Sequence, residues 1–294
     1  MATGPEQWRV FEDARPRLFA LAYRLLGSAS DAEDAVQDTA LRFHAADREA
    51  LRTPQAWLTR VLTNVCLNRL TSARSRRERY VGPWLPEPVD TTRADLGPLE
   101  NAAQRESVSM AVLVLLERLT PPERAVFVLR EAFGYSHREI AELLRLSETN
   151  CQQLYHRARG HVTAGRARFA ASAEHGQQLA RRFLAAARGG DIDALRELLA
   201  ADVVVWADGG GMASAARRPV RGAERVARYL SWMSREQPGL RVVVTELNGQ
   251  PGLVAVVEEH VLLAVVLEPG PDRITGIKIV ANPDKLAFLS TQLL

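Results

Sequence analysis

Residues 119–161 read LTPPERAVFVLREAFGYSHREIAELLRLSETNCQQLYHRARGH. Ser136 followed three residues later by Glu139 is a capping-box pattern, opening a short helix with Ile140, Ala141 and Leu144 on its inner side. Arg145 and Leu146 make a tight turn, and Ser147 caps a second helix. Two short helices joined by a three-residue turn form a helix-turn-helix. In the second helix Cys151, Leu154 and Ala158 recur at helical spacing and seat it on the first. The helical period then places Thr149, Gln152, Gln153 and His156 in a polar stripe on the far side, flanked by Asn150, Arg157 and Arg159. Glutamine and asparagine make paired hydrogen bonds to base edges in the major groove, and arginine reaches bases or phosphates. Any solvated helix face carries polar residues; the capped pair with its turn is what points to duplex DNA.

Upstream, the chain also reads as helices. Phe11, Ala14, Leu18, Leu21, Ala22 and Leu25 recur at helical spacing, and Gly27 closes that helix. Ser30 with Glu33 is expected to cap a second helix, burying Ala32, Ala35, Val36, Thr39 and Phe43. Thr53 and Pro54 start a third helix, through Trp57, Leu58, Val61, Leu62 and Val65. Residues 28–41 hold Asp31, Glu33, Asp34 and Asp38 without a basic residue, a face that repels DNA. It suits either a basic protein partner or the positive end of a helix. Residues 57–80 hold six arginines and one glutamate beside Trp57, Asn64, Asn68 and Tyr80, with Arg74, Arg76 and Arg77 clustered near the end. Such a mixture of charge and aromatic rings fits single-stranded nucleic acid, although Trp57 equally suits a core position.

Residues 81–100 lose periodicity at Gly82, Pro83, Pro86, Pro88, Gly97 and Pro98 and read as a linker. Helical pattern returns over 101–170. Beyond about residue 176, two helical stretches give way to β-branched runs at 203–206 and 241–247, then strands at 253–259, 260–268 and 274–281, with a helix near 223–233. The last block is therefore α+β. The expected division is 5–80, a linker at 81–100, 101–170 and 176–294.

Composition narrows the function classes. The chain has 294 residues and a net charge of +3, with 38 Lys and Arg, only two of them lysines. No apolar run is long enough for a membrane span and no signal pattern opens the chain, which predicts a cytoplasmic protein without a membrane partner. Cys66 and Cys151 stand alone in apolar helical patterns, so both read as packing residues, with neither a disulfide nor a metal site expected.

The run Leu25-Leu26-Gly27 with residues 31–38, DAEDAVQD, the run Pro54-Gln55-Ala56-Trp57-Leu58 with Asn64 and Asn68, the run Leu119-Thr120-Pro121-Pro122-Glu123-Arg124, and the helix-turn-helix ending His156-Arg157-Ala158-Arg159 occur in the order found in extracytoplasmic-function (ECF) sigma factors. The resemblance covers residues 5–165. It implies two all-α sigma domains, a region 2 bundle and a region 4 helix-turn-helix. Asp31, Glu33, Asp34 and Asp38 would bind the β′ clamp helices of core RNA polymerase, which also contributes its β subunit. Trp57, Asn64, Asn68, Arg74, Arg76 and Arg77 would capture the melted −10 element, and Thr149, Asn150, Gln152, Gln153, His156 and Arg157 would read the −35 duplex. Gln152 and Gln153 stand where many members carry a basic and a small residue.

Trp84-Leu85-Pro86-Glu87-Pro88 and the added last block resemble the subgroup with a C-terminal SnoaL-like domain, an NTF2-like cone. Its DGGGK-like motif appears as Asp208-Gly209-Gly210-Gly211 followed by Met212, without the lysine, and its NPDKL motif as Asn282-Pro283-Asp284-Lys285-Leu286. The resemblance implies a regulatory domain that makes a separate anti-sigma protein unnecessary. No cofactor, metal or catalytic residue is expected. The competing reading gives the last domain a ligand or a reaction in its cavity, with Asp208, Glu258, Glu259 and His260 as titratable groups and Trp206 in the lining. Residues 209–211 lack a GK[ST] ending and read as a flexible interaction loop rather than a phosphate loop.

Overall fold

The computed structural model describes residues 4–46, 53–77, 80–93, 106–163, 172–233 and 239–293. Contacts divide the chain into two compact units: Met1–Glu78 with Arg93–Arg166, and Arg79–Thr92 with Ala167–Leu294. The stretch expected to be a linker thus belongs, through residue 92, to the C-terminal unit.

The first unit contains α1 (Gly4–Leu26), α2 (Ala29–Ala45), α3 (Pro54–Arg77), α4 (Met110–Leu116), α5 (Pro121–Glu131), α6 (His137–Leu144) and α7 (Glu148–Thr163). Gly27 ends α1 in the left-handed region, φ 68°, and its amide donates to the Tyr23 carbonyl at 2.7 Å. One sequence expectation is corrected at the next helix. Ser28, not Ser30, is the N-cap of α2, its side chain accepting from the Asp31 amide at 3.0 Å. Ser28 has the extended backbone a cap requires, whereas Ser30 already lies inside the helix. Apolar residues Phe19, Leu25, Ala35, Val36, Leu58 and Leu62 fill the core shared by α1, α2 and α3.

The two helical halves meet within this unit. α5 contacts α1 and α3, and α6 contacts α3. Arg124 of α5 is only 2% exposed; its guanidinium donates to the Arg24 carbonyl at 3.3 Å and pairs with Glu117 at 2.8 Å. Arg24 is buried as well, donating to Ser107 Oγ and the Ala20 carbonyl, each at 2.9 Å. Arg17 and Arg24 both lie over the Phe133 ring. Burial lowers the pKa of both Arg24 and Arg124, because a cation loses its hydration there. Carbonyls and Glu117 supply the compensating acceptors.

The second unit contains α8 (Ala173–Arg188), α9 (Ile192–Leu198), β1 (Leu199–Asp208), β2 (Val220–Arg221), α10 (Ala223–Met233), β3 (Leu240–Leu247), β4 (Gln250–Val257), β5 (His260–Pro269), β6 (Ile274–Val280) and α11 (Pro283–Leu293). The sheet runs β2-β1-β6-β5-β4-β3, with β1 parallel to β6 and the other neighbours antiparallel. Asn248 and Gly249, both at positive φ (55° and 68°), make the two-residue turn between β3 and β4. The strand expected from residue 253 accordingly begins earlier, at Gln250.

Period-2 alternation gives the sheet two faces. Val205, Ala207, Leu253, Val265, Ile277 and Ile279 join Leu179 and Phe183 of α8, Leu195 of α9 and Val226 of α10 in one core. On the other face α11 packs across β5, burying Leu286 and Leu289.

Cys66 and Cys151 are fully buried, in keeping with packing roles. Burial pushes the Cys66 thiol up to about 12. A thiol reagent is expected to label both residues only in step with global unfolding, followed by absorbance. Labelling of either at a free-thiol rate in native buffer would contradict this. The raised value also sets a sign: the unfolded thiol ionises first, so Cys66 makes stability fall as pH rises from the ordinary thiol range toward about 12.

Candidate functional site

In the helix-turn-helix, Ser136 Oγ accepts from the Glu139 amide at 3.2 Å, and Glu139 Oε2 accepts from the Ser136 amide at 2.7 Å. The Ser136 hydroxyl, donating to Glu139 Oε2 at 2.6 Å, and then the Ser136 amide hold the Glu139 pKa below its ordinary value. Arg145 ends α6 in the left-handed conformation, φ 56°, and the Leu146 amide donates to the Ala141 carbonyl at 2.9 Å. Ser147 Oγ then accepts from the Asn150 amide at 3.2 Å. Cys151 and Ala158 are buried, while Thr149, Asn150, Gln152, Gln153, His156, Arg157 and Arg159 are all exposed on α7. One residue outside the expected stripe orients this helix. Tyr155 donates to Glu131 Oε1 at 2.5 Å, stacks on Phe127 and meets the edge of His137. Tyr155 sits between the apolar and polar faces of α7, so spacing alone gives it no partner.

The acidic face of α2 is less purely acidic than its sequence suggests. Arg69, from the run expected to hold nucleic acid, turns back to Asp38 at 2.8 Å, Asp34 at 3.4 Å and Asp31 at 3.7 Å. Arg15 pairs with Glu33 at 2.7 Å. Four carboxylates face two guanidiniums, leaving the cluster acidic and partly exposed, Asp34 most of all at 65%. On α3, Asn64 and Asn68 are exposed, and Trp57 is half-buried with its ring 5.7 Å from that of Phe43. The side chains of Arg74, Arg76 and Arg77 lie outside the described residues.

Tyr80 also departs from expectation. Instead of extending the nucleic-acid surface, it belongs to the C-terminal unit, donating to Asp208 Oδ1 and accepting from Asn282 Nδ2 at 2.8 Å. Burial and the hydrogen bond to Asp208 raise its pKa.

Asp208 is the hub. It is the last residue of β1 and fully buried. Besides Tyr80, its carboxylate accepts from the Leu85 amide at 2.8 Å, the Gly210 amide at 3.2 Å and Lys285 Nζ at 2.7 Å. Lys285 Nζ also donates to the Leu85 carbonyl at 2.6 Å and sits 3.2 Å from the centroid of Trp84. An ammonium held by a carboxylate, a carbonyl and an indole face has its lost hydration replaced. Asn282 caps α11, accepting from the Asp284 amide at 3.1 Å with Pro283 in the first turn. The cap carries Lys285 one turn in, against the end of β1, while Leu286 enters the core and Pro283 and Asp284 stay at the surface.

The triple glycine has a local reason. Gly210 has φ +59°, and a Cβ there would lie 2.8 Å from Asn282 Cγ and 3.0 Å from the Tyr80 hydroxyl. Gly209 accepts from the Met212 and Ala213 amides at 2.9 and 3.0 Å. Residues 209–211 therefore form a hydrogen-bonded turn rather than the flexible loop expected. Met212 is 56% exposed. Lys285, from the Asn282–Leu286 run, supplies the cation beside Asp208.

Leu85, Pro86, Glu87 and Pro88 are buried, and downstream residues continue the attachment. Val89 and Asn248 exchange hydrogen bonds at 3.0 and 3.2 Å. The Asp90 amide donates to Gln292 Oε1 at 2.8 Å, and the Thr91 amide to the Glu246 carbonyl at 3.0 Å. Asp90, Asn248 and Gln292 went unread in the sequence, because a segment without periodicity gives no sign of what it pairs with.

The structure does not bring the candidate titratable groups of the last domain together. Asp208 and Trp206 project from the sheet face opposite α8, α9 and α10. Lys278 lies 3.8 Å above Trp206 and pairs with Glu268 at 2.7 Å. Phe183, Leu253 and Ile277 belong to the core on the apolar side of the sheet, and Glu258, Glu259 and His260 are exposed around the turn between β4 and β5. Among the described residues no group of three or more His, Cys, Asp or Glu side chains could hold a metal, and no helix is long and apolar enough to cross a membrane.

Family models match in three blocks: "Sigma-70 region 2" over residues 10–76, "Sigma-70, region 4" over 109–162 and "SnoaL-like domain" over 180–281. The chain is 37% identical to the ECF RNA polymerase sigma factor SigJ of Mycobacterium tuberculosis, over 94% of this chain and 91% of that one. It is 33% identical to the probable ECF sigma factor SigI of the same species, over 97% and 96%. The crystal structure of M. tuberculosis SigJ superposes with a TM-score of 0.75 at 33% identity, covering 95% of this chain and 98% of that one. A helical bundle, a capped helix-turn-helix and a fused α+β unit, in this order, are the parts of a transcription-initiation subunit. The chain belongs to the ECF RNA polymerase sigma factors that carry a C-terminal SnoaL-like domain.

Breaking the Asp208–Lys285 pair from one side strands a buried charge, at a cost of about 3–5 kcal/mol. Asp208→Asn is expected to lower the urea midpoint of the C-terminal unit and to speed chymotryptic cleavage at Tyr80 and Trp84, read by mass spectrometry. Asp208→Asn with Lys285→Met should recover part of the loss; strictly additive effects would show that the two side chains do not act as a pair.

Proposed function

We propose that the chain directs promoter-specific initiation through three surfaces and that its C-terminal unit regulates them by holding residues 80–92. Asp31, Glu33, Asp34 and Asp38 dock on the β′ clamp helices of core polymerase, and the β subunit completes the assembly. Asn64, Asn68 and Trp57, with Arg74, Arg76 and Arg77, grip the melted −10 strand. Thr149, Asn150, Gln152, Gln153, His156 and Arg157 read the −35 duplex. The work is done in the cytoplasm, and no separate anti-sigma protein is required.

The observation that carries the regulatory part is the four-bonded Asp208 carboxylate, two of whose donors, Tyr80 and Leu85, come from the segment joining α3 to α4. While that segment is held, it contributes no free length between the two helical halves. Released, a stretch of this size spans on the order of 50 Å, at about 3.5 Å per residue. Reading two promoter elements at once depends on that reach. Trp84, Leu85, Pro86, Glu87 and Pro88 on one side, and Asp208, Gly209, Gly210, Gly211, Asn282, Pro283, Asp284, Lys285 and Leu286 on the other, make up the regulatory contact.

Two measurements test this. A chain ending after Phe169 is expected to bind core polymerase more tightly than the full chain in a fluorescence titration; equal affinity would refute restraint by the C-terminal unit. Gln152→Ala with Gln153→Ala should cost about 1–3 kcal/mol of discrimination at the −35 element in run-off transcription; unchanged discrimination would remove both from the reading surface.

A further inference from the structure

Beside the Asp208 turn lies a cavity of about 200 Å³ that none of the foregoing uses. One wall is Val81 and Gly82 of the held segment; the others are Gly209, Gly211 and residues 213–217. Three of these residues lack a side chain, so backbone is presented directly. The amides of Gly211, Ser214 and Ala215 donate to no protein acceptor among the described residues. Arg217 is the charged member of the lining, and neither it nor its exposed neighbours Arg218 and Arg221 makes an ion pair among the described residues. Residues 217–228 hold five arginines (217, 218, 221, 225, 228) and Glu224, a net +4 in one short stretch of a chain whose total is +3.

We infer that this cavity is a binding site for a small oxyanion, a phosphate or carboxylate group of a metabolite, with Arg217 and the free amides as its donors. Guanidinium and unpaired backbone N–H groups are the usual receptors of such groups, and Gly211, Ser214 and Arg217 are exposed at this cavity. The volume lies below the roughly 300–1,000 Å³ of sites for drug-sized ligands, which limits the occupant to a small anion or to the anionic end of a larger molecule. Because Val81 and Gly82 form a wall, the site is complete only while residues 80–92 are held. By linkage, a ligand there favours the held state and release of the segment weakens the ligand. The regulatory half of this statement rests on the reading of residues 80–92 as a restraint; the binding half does not.

The test uses the full chain and inorganic phosphate, by calorimetry and thermal shift at constant ionic strength against chloride. Saturable binding is expected, and Arg217→Gln should weaken it about tenfold or more, as the loss of a charged hydrogen bond does. Arg218→Gln, outside the lining, should weaken it severalfold less than Arg217→Gln does. Phosphate should also slow chymotryptic cleavage at Tyr80 and Trp84. Equal behaviour in phosphate and chloride, or undiminished binding by Arg217→Gln, overturns the site. Displacement of phosphate by a short duplex without promoter sequence assigns the cavity to a DNA phosphate and overturns the metabolite. If phosphate fails to bind but the chain ending after Phe169 still gains polymerase affinity, the cavity is rejected and the restraint stands. Phosphate binding without protection of Tyr80 and Trp84 rejects the coupling.

Discussion

The buried ion pair between Asp208 and Lys285 is the constraint around which the C-terminal unit is arranged. A carboxylate without water must find donors on all its lone pairs, and an ammonium must replace its hydration. Asp208 does so with Tyr80, Leu85, Gly210 and Lys285, and Lys285 with Asp208, the Leu85 carbonyl and the Trp84 ring. The demand therefore fixes the end of β1, the start of α11 and the path of residues 80–85 together. Removing Asp208 or Lys285 leaves the other a desolvated charge, whereas the neutral partners share the remaining cost of burial.

The same chemistry recurs once more. The sequence holds two lysines among its 38 basic residues, and both are buried, each against a carboxylate and an indole: Lys285 with Asp208 and Trp84, Lys278 with Glu268 and Trp206. Arginine covers the surface, where a broad, weakly hydrated cation is well tolerated. The compact ammonium is kept for places where a point charge must fit between a carboxylate and a ring face. The helical unit solves a related problem differently, burying Arg24 and Arg124 where α1 meets α5 and satisfying them with carbonyls and Glu117.

Local signals read from the sequence held where the physics is local. The box at Ser136 and Glu139, the inward Cys151 and Ala158, the outward Gln152, Gln153 and His156, and the helix over Ala223–Met233 follow from capping and periodicity within a few residues. They erred where two local solutions compete. Ser28 and Ser30 both precede an acidic residue three positions on, and only the backbone conformation at Ser28 decides between them. Likewise the alternation of β1 does not say which face carries the helices; Val205 and Ala207 join the core, and Trp206 and Asp208 lie on the opposite face.

The sequence by itself determined the class of protein, the order of its helical segments and the polar stripe on the reading helix, because each is written in spacing over one or two turns. Only the tertiary structure decided that Tyr80 pairs with Asp208, that Arg69 turns back on the acidic face, and that Lys285 supplies the cation beside Asp208. Those partners stand 128, 31 and 77 residues apart in the chain. Pairing over such distances is set by burial, where an unmatched charge is most costly, and no periodicity records it.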